Sequence, residues 1–413
     1  MDRRRVVVTG MGVVSPLGNS IDEMWENILV GNIGIAPITR FDTQDFKVSL
    51  AAEVKSFDPS SYLKGKELKR LDLYSQYAIC AASEAINMSG LHEDMLNKES
   101  TGVIVGTGMG GISTVENQSV LLHEKGPGKI NFLTIPMLLS SIAAGNIAIK
   151  FGIKGICTSI ISACATGANC IGEAFRNIQH GYSDIIIAGG SEASITPIAI
   201  AGFTELTAIS TETDSERASI PFDQDENGFV MGEGAGILVL EELNHAIKRK
   251  AKIYGEIIGY GTNCDAYHIT APNPKGEGAA KAIRMALKDG KVELKDVEYI
   301  NAHGTSTPHN DIPETLAIKE VFGKYAYNIP VSSTKSMTGH LLGAAGALEA
   351  IITMKSLCDG FVPPTVGLKN PNIECDLNYV PTKGFKKDMK IALSNSFGFG
   401  GHNVVLCMRK WEG

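Results

Sequence analysis

Short runs of β-branched and aliphatic residues recur along the chain, each ending in a Gly- or Ser-rich turn. They lie at Val6–Val8, Gly102–Val105, Ser159–Ser162, Asp184–Ala188 and Gly236–Leu240, then at Ile253–Tyr260, Val297–Asn301, Ile329–Ser332, Ile391–Ser394 and Asn403–Met408. Between them apolar residues return with helical spacing. After Ser162-Ala163-Cys164-Ala165-Thr166-Gly167, the residues Ile171, Ala174, Phe175 and Ile178 fall on one helix face, and Gly181 supplies a stop. A second helix is expected over Ala344–Leu357, with Leu348, Ile351 and Ile352 on one side and Gly360 and Pro363-Pro364 closing it. Strands alternating with helices on both sides of about residue 250 predict an α/β layered fold. No Pro/Ser-rich linker interrupts the chain, so two halves should pack directly on each other.

At 413 residues the chain is long enough for two or three domains of roughly 100–200 residues each. Hydrophobic residues make up 44% and charged residues 20%, which excludes an intrinsically disordered chain. A net charge of −7 argues against broad nucleic-acid binding and leaves local basic patches as the places to look for docking. The eight cysteines, at 80, 157, 164, 170, 264, 358, 375 and 407, form no C-x-x-C pair, and their scatter reads as buried thiols in a reducing compartment. The opening MDRRRVVV resembles a signal n-region, but Thr9-Gly10 and Ser15-Pro16-Leu17-Gly18 break the apolar run, so it reads as a first strand. No unbroken apolar stretch reaches 18 residues, and no membrane span is expected.

Candidate chemistry gathers at strand exits. Gly106-Thr107-Gly108-Met109-Gly110-Gly111 matches G-x-G-x-x-G, but no second strand ending in an acidic residue follows, and a packed turn bordering a pocket fits better than a dinucleotide site. Cys164 stands at a strand-to-helix junction, where the helix dipole and unpaired N–H groups should favour thiolate. His303, in Asn301-Ala302-His303-Gly304-Thr305-Ser306-Thr307, and His340, in Lys335-Ser336-Met337-Thr338-Gly339-His340, also follow apolar strands. Loops beyond the carboxyl ends of strands in α/β sheets gather into crevices, so the three residues can converge. Metal binding is the competing use of such a trio, yet no H-x-x-x-H or carboxylate cluster accompanies it. Asn395-Ser396-Phe397-Gly398-Phe399-Gly400-Gly401 follows a strand as well, and its glycines let backbone amides approach a reacting group, as an oxyanion hole requires.

The segments VVVTGMGVVSPLG, SACATGANCIGEA, PFDQDENGFVMGEGAG, NAHGTSTPHND, SSTKSMTGHLLGAAGALEA and NSFGFGGHN, in this order, resemble the β-ketoacyl-acyl carrier protein synthases of the elongating type. The resemblance spans nearly the whole chain. It implies a thiolase fold of two similar mixed-sheet halves, 1–252 with the nucleophile and 253–413 with the histidines, in five α-β-α-β-α layers. It also implies the decarboxylative condensation of a Cys164-bound acyl group with malonyl-acyl carrier protein in fatty-acid elongation. By resemblance, Cys164, His303, His340 and Lys335 are catalytic, with Glu349 supporting Lys335, and the backbone N–H groups of Cys164 and Phe399 form an oxyanion hole. Thr305 and Thr307 match positions that bind pantetheine, Met109 a position that sets pocket depth, and Phe399 a gate. Lys66, Lys69, Arg70 and Lys129 match a docking patch for the acidic acyl carrier protein. No metal and no resident cofactor are implied, because phosphopantetheine arrives on the carrier protein. A homodimer in the cytoplasm is expected, or in a plastid-type organelle if a targeting extension has been removed.

Three positions depart from the family pattern. Gly128 and Thr207 stand where basic residues are common, which weakens the expected docking surface, and His402 replaces a common threonine. A polyketide-type ketosynthase on the same fold is the alternative enzyme, and a non-catalytic chain-length-factor-like partner the alternative outside catalysis. The presence of Cys164 argues against the latter.

Overall fold

The computed structural model describes residues 3–413. Ten strands form one mixed sheet: β1 (Val6–Val14), β2 (Thr101–Gly106), β3 (Cys157–Thr158), β4 (Ile185–Glu192), β5 (Gly234–Glu242), β6 (Gly255–Cys264), β7 (Tyr299–Asn301), β8 (Val331–Ser332), β9 (Ile391–Gly398) and β10 (His402–Lys410). The spatial order is β8-β7-β9-β10-β6-β1-β5-β4-β2-β3. Read outward from the centre, the first five strands run first-fifth-fourth-second-third, and the last five repeat that order. The strand senses repeat too. In each half the first, fifth and fourth strands pair antiparallel and the fourth, second and third pair parallel. The halves meet where β1 and β6 pair through Val6–Ile257, Val7–Glu256 and Val8–Gly255 alone.

Nine of the ten apolar runs overlap their strands. The exception is Ser159–Ser162, which is irregular, because the strand ends at Thr158. Its residues instead build the loop that carries Cys164. The Ser162 N–H donates to Thr166 Oγ1, and Asn169 Nδ2 donates to Ser162 Oγ.

Five helices define the layers: α1 (Leu73–Ser89), α2 (Thr166–Gln179), α3 (Glu277–Gly290), α4 (Pro308–Phe322) and α5 (Ala345–Asp359). Helices α2 and α5 form the middle layer, packed between Ile104, Ile186 and Leu238 of one sheet half and Ala392, Val404 and Leu406 of the other. A helix with water on neither side must be apolar or small nearly all round, and α5 is buried along most of its length. Side chains such as Ile171, Phe175 and Ile178, each at most 1% exposed, contribute about 1.5–3 kcal/mol apiece. The two helices touch through glycine. A Cβ on Gly167 would lie 2.7 Å from Ala347 N, and one on Gly346 would lie 2.9 Å from Ala168 N. Larger residues there would push apart the helices whose N-terminal ends carry the site. Helix α1 covers the outer face of the first half against Val103, Ile187 and Val239, and α3 and α4 cover the second against Ile300, Leu393 and Val405. The result is the five-layered α-β-α-β-α arrangement. Among the described residues no helix is long and apolar enough to cross a membrane.

Candidate active site

Cys164 sits on a single 3-10 turn, Ala163–Ala165, directly before α2. Ala163 has φ +49°, the left-handed region that a side chain seldom adopts, so the turn is sharp and held by its surroundings. Gly398 is part of that hold: a Cβ there would lie 2.7 Å from Ser162 O and 3.1 Å from Cys164 N. This close approach brings the N–H of Phe399 to the Cys164 sulfur, which also meets its own backbone N–H. Cys164 and Phe399, the pair that the resemblance names, line the same cavity.

Thiolate was the expected form of Cys164, and the structure corrects this. Burial pushes the thiol up to about 11, outweighing the charge of Lys335 and the two N–H groups. A short turn at a helix start offers partial charges only, and in a dry pocket the loss of hydration is the larger effect.

His303 and His340 face each other edge to face, with ring centroids 5.4 Å apart. Both are at most 3% exposed. His303 follows β7, and its backbone N–H donates to Glu314 Oε1 at 2.9 Å while Gly304 N–H donates to Oε2 at 2.8 Å. The Lys335 ammonium donates to His303 O at 2.6 Å, lies 3.4 Å from His303 Nδ1 and pairs with Glu349. With an ammonium against Nδ1, the neutral ring keeps its proton on Nε2. His340 is fixed by its main chain, donating N–H to Val230 O at 2.7 Å and accepting from Gly232 N–H at 2.9 Å. Its ring packs edge-on against Phe229 at 5.3 Å, and its Nδ1 is buried without a hydrogen-bond partner. Burial, then Lys335, holds both imidazoles well below their usual range, so they are neutral donors at pH 7.

Cys164, His303 and His340 line one cavity of about 720 Å³ together with Met109, Thr305, Thr307 and Phe399. Lys335 and Glu349 stand behind His303, 1% and 2% exposed. Thr305 and Thr307 share a hydroxyl hydrogen bond of 2.7 Å. The basic residues are separate from this cavity: Lys66, Lys69 and Arg70 are exposed on and just after the short helix Gly65–Leu68, and Lys129 is exposed on the turn Pro127–Lys129. The glycine-rich turn after β2 borders the cavity, as its packing reading implies. Among the described residues no group of three or more His, Cys, Asp or Glu side chains has the arrangement to hold a metal.

Sequence reasoning missed the carboxylates that hold these loops. Glu192 accepts from Gly108 N–H at 2.8 Å, Gly343 N–H at 2.9 Å, Met109 N–H at 3.2 Å and the hydroxyls of Thr107 and Ser194 at 2.9 Å. Glu314 accepts from His303, Gly304 and Asn395. The available signal was faint: an acidic residue ending the buried strand IIIAGGSE, and one on a mostly buried helix face.

A half-buried thiol beside two convergent N–H groups, facing two neutral imidazoles on a thiolase-type fold, defines a thiol-dependent condensing enzyme. Family models agree with this class. The beta-ketoacyl synthase N-terminal domain matches residues 3–246 and its C-terminal domain residues 254–369. The chain belongs to the beta-ketoacyl synthase family. It is 51% identical over 413 residues to the 3-oxoacyl-(acyl-carrier-protein) synthase 2 of Synechocystis sp., covering 100% of this chain and 99% of that one. It is 50% identical over 409 residues to the protein of the same name from Staphylococcus aureus, covering 99% of each. Among solved structures, the ishigamide ketosynthase/chain length factor superposes with a TM-score of 0.92 at 36% identity, covering 99% of this chain and 100% of that chain. A type II polyketide ketosynthase in complex with its acyl-carrier protein gives the same values.

Proposed function

We propose that Cys164 takes an acyl group from an acyl-carrier-protein thioester and that His303 and His340 then drive decarboxylation of malonyl-acyl carrier protein on the same site. The chain is a condensing enzyme of fatty-acid elongation, and its product is a β-ketoacyl-acyl carrier protein two carbons longer, with CO₂ released. One observation carries the reading: the sulfur, its two N–H groups and both imidazoles open onto a single cavity.

In the first step the Cys164 sulfur attacks the acyl thioester, its proton leaves with the departing pantetheine thiol, and the N–H groups of Cys164 and Phe399 stabilise the oxyanion. In the second, loss of CO₂ leaves the electron pair on the thioester enolate. Removing CO₂ in place avoids deprotonating a weak carbon acid. Neutral imidazoles can serve this step because each still carries one ring N–H to donate to the enolate oxygen. Lys335 holds His303 in the tautomer that presents Nε2–H. The enolate carbon then attacks the acyl-Cys164 carbonyl and the thiolate leaves. Metal and resident cofactor have no part in this scheme.

Thr305 and Thr307 bind the pantetheine amides in this reading, Met109 bounds the acyl chain and Phe399 gates it, and their shared lining of the cavity supports these roles. Lys66, Lys69, Arg70 and Lys129 are exposed cations suited to steer an acidic carrier protein. A homodimer fits the exposed edge strand β3, which is flanked in the chain by the exposed apolar side chains Ile156 and Ile161. Eight free cysteines fit a reducing cytoplasm.

The test is reconstitution: purified chain, acyl-carrier-protein thioesters of graded length and malonyl-acyl carrier protein, followed by intact mass and CO₂ release. Acyl-enzyme that appears on Cys164 and is consumed by the malonyl thioester supports the reading. Failure to acylate with every chain length would instead favour the non-catalytic partner.

A further inference from the structure

Asn310 stands in the first turn of α4 on the wall of the catalytic cavity and is 9% exposed. Its backbone N–H donates to Thr307 O at 2.9 Å, which ties it to the loop that carries Thr305 and Thr307. The side-chain nitrogen is committed inside the protein. Asn310 Nδ2 donates to Asp311 Oδ1 at 2.9 Å and reaches Glu314 Oε2 at 3.4 Å. Those two carboxyl oxygens fix which end of the amide is which. Both already accept backbone N–H groups, from Thr305 and Gly304, so a flipped amide would set an acceptor against two acceptors.

The amide oxygen is left over. Among the described residues no protein donor bonds to Asn310 Oδ1, and the atom is not one of those sealed away from the surface. A side chain nine-tenths buried, held from behind by its nitrogen, therefore shows a fixed, unpartnered acceptor to the cavity. Its polar neighbours there differ from it. Thr305 and Thr307 share a hydroxyl bond of 2.7 Å, so that pair keeps one proton to donate. Asn227 Oδ1 already accepts from Ser210 Oγ at 2.8 Å. A pantetheine arm carries two secondary amides, each with one C=O and one N–H. The threonine proton suits a carbonyl oxygen of the arm. An arm N–H that leaves water for this wall needs an acceptor instead.

We propose that Asn310 is a substrate-binding residue whose Oδ1 accepts the N–H of one pantetheine amide, so that the site selects a thioester arm with an amide N–H at that place. This deepens the condensing-enzyme reading and rests on it. A merely structural Asn310, linking Asp311 to Glu314, would treat arms with and without that N–H alike.

The test changes the ligand as well as the residue. Unreactive S-octyl pantetheine and two analogues, each with one amide N–H replaced by an ester oxygen, are titrated calorimetrically into the full chain, as wild type and as Asn310→Ala. With wild type, one analogue should bind about tenfold more weakly than the parent, the size of one hydrogen bond lost with two acceptors left facing each other. With Asn310→Ala, the parent should weaken by the same factor and that analogue should bind within about twofold of it, a coupling of about tenfold. Failure of wild type to bind the parent, or equal binding of all three ligands, overturns the proposal whether or not Asn310→Ala folds. A wild-type preference that persists in folded Asn310→Ala also overturns it, because another acceptor then takes the N–H. Wild type that condenses no thioester defeats the functional reading, while the titrations still decide Asn310.

Discussion

In the first half the chain leaves β3 at Thr158, passes Cys164 and enters α2 at Thr166. In the second it leaves β8 at Ser332, passes Lys335 and His340 and enters α5 at Ala345. Cys164 and one imidazole thus occupy equivalent places in a repeated topology. The loops after the second strand of each half match as well: one carries Met109 and is clamped by Glu192, the other carries His303 and is clamped by Glu314. What differs is the lining. Behind the sulfur lie backbone N–H groups, which stabilise charge only as it forms. Behind His303 lies a fixed ammonium paired with Glu349, which holds a tautomer and adds to burial in keeping the ring neutral. The repeat brings the groups together, and on the proposed reading their immediate neighbours divide the labour between covalent capture and decarboxylation.

The harshest test of that division is Cys164→Ala. Acyl-enzyme should vanish from the intact-mass spectrum and condensation fall by at least about 10³-fold, while malonyl decarboxylation in the second half persists. Loss of decarboxylation as well, in a folded variant, would show that the halves do not act separately. The reciprocal change follows. His303→Ala and His340→Ala should each slow decarboxylation by about 10²–10³-fold, the usual loss for an oxyanion donor, and leave acyl transfer within about tenfold. Equal loss of both half-reactions would contradict the assignment.

A smaller effect separates the sulfur from the imidazoles by pH. With the Cys164 thiol pushed up to about 11, its thiolate fraction is small at neutrality and grows with alkalinity. Alkylation of Cys164, followed by peptide mapping, should accelerate about 100-fold from pH 7 to pH 9 without levelling, since each unit below the titration point is worth about tenfold. A plateau below pH 8 would mean that the two N–H groups and Lys335 outweigh burial after all.

That expectation reverses what the sequence suggested, and the reason shows where sequence reading stops. Periodicity identifies strands and helices wherever one face must be apolar, and it located the two middle helices within a few residues. It failed at Ser159–Ser162, where β-branched and small residues serve a turn with a left-handed Ala163 instead of a strand. Strand exits marked Cys164, His303 and His340, because motif and topology coincide there. Glu192, 28 residues after Cys164 in sequence, and Glu314 were invisible, since a carboxylate's role depends on which N–H groups the fold sets around it. The thiol's ionisation was misjudged for the same reason: helix position can be read locally, but burial cannot.

The finest distinction concerns the two clamps. Both glutamates are buried and displaced upward by burial, yet each is held by several N–H donors. Glutamine in place of either keeps the shape but turns one acceptor into a donor facing N–H groups, a loss of about 1–3 kcal/mol. Were the clamps only structural, Glu192→Gln and Glu314→Gln would lower stability alike and scale both half-reactions together. Their contacts predict otherwise. Glu314 fixes the main chain of His303, so Glu314→Gln should cut decarboxylation about tenfold and spare acyl transfer. Glu192 fixes Met109 and Gly343, beside the acyl cavity, so Glu192→Gln should shift acyl-chain-length preference by about threefold and spare decarboxylation. Half-reaction rates measured over a panel of chain lengths separate the two outcomes, and matching profiles would dissolve the contrast between the halves at this level.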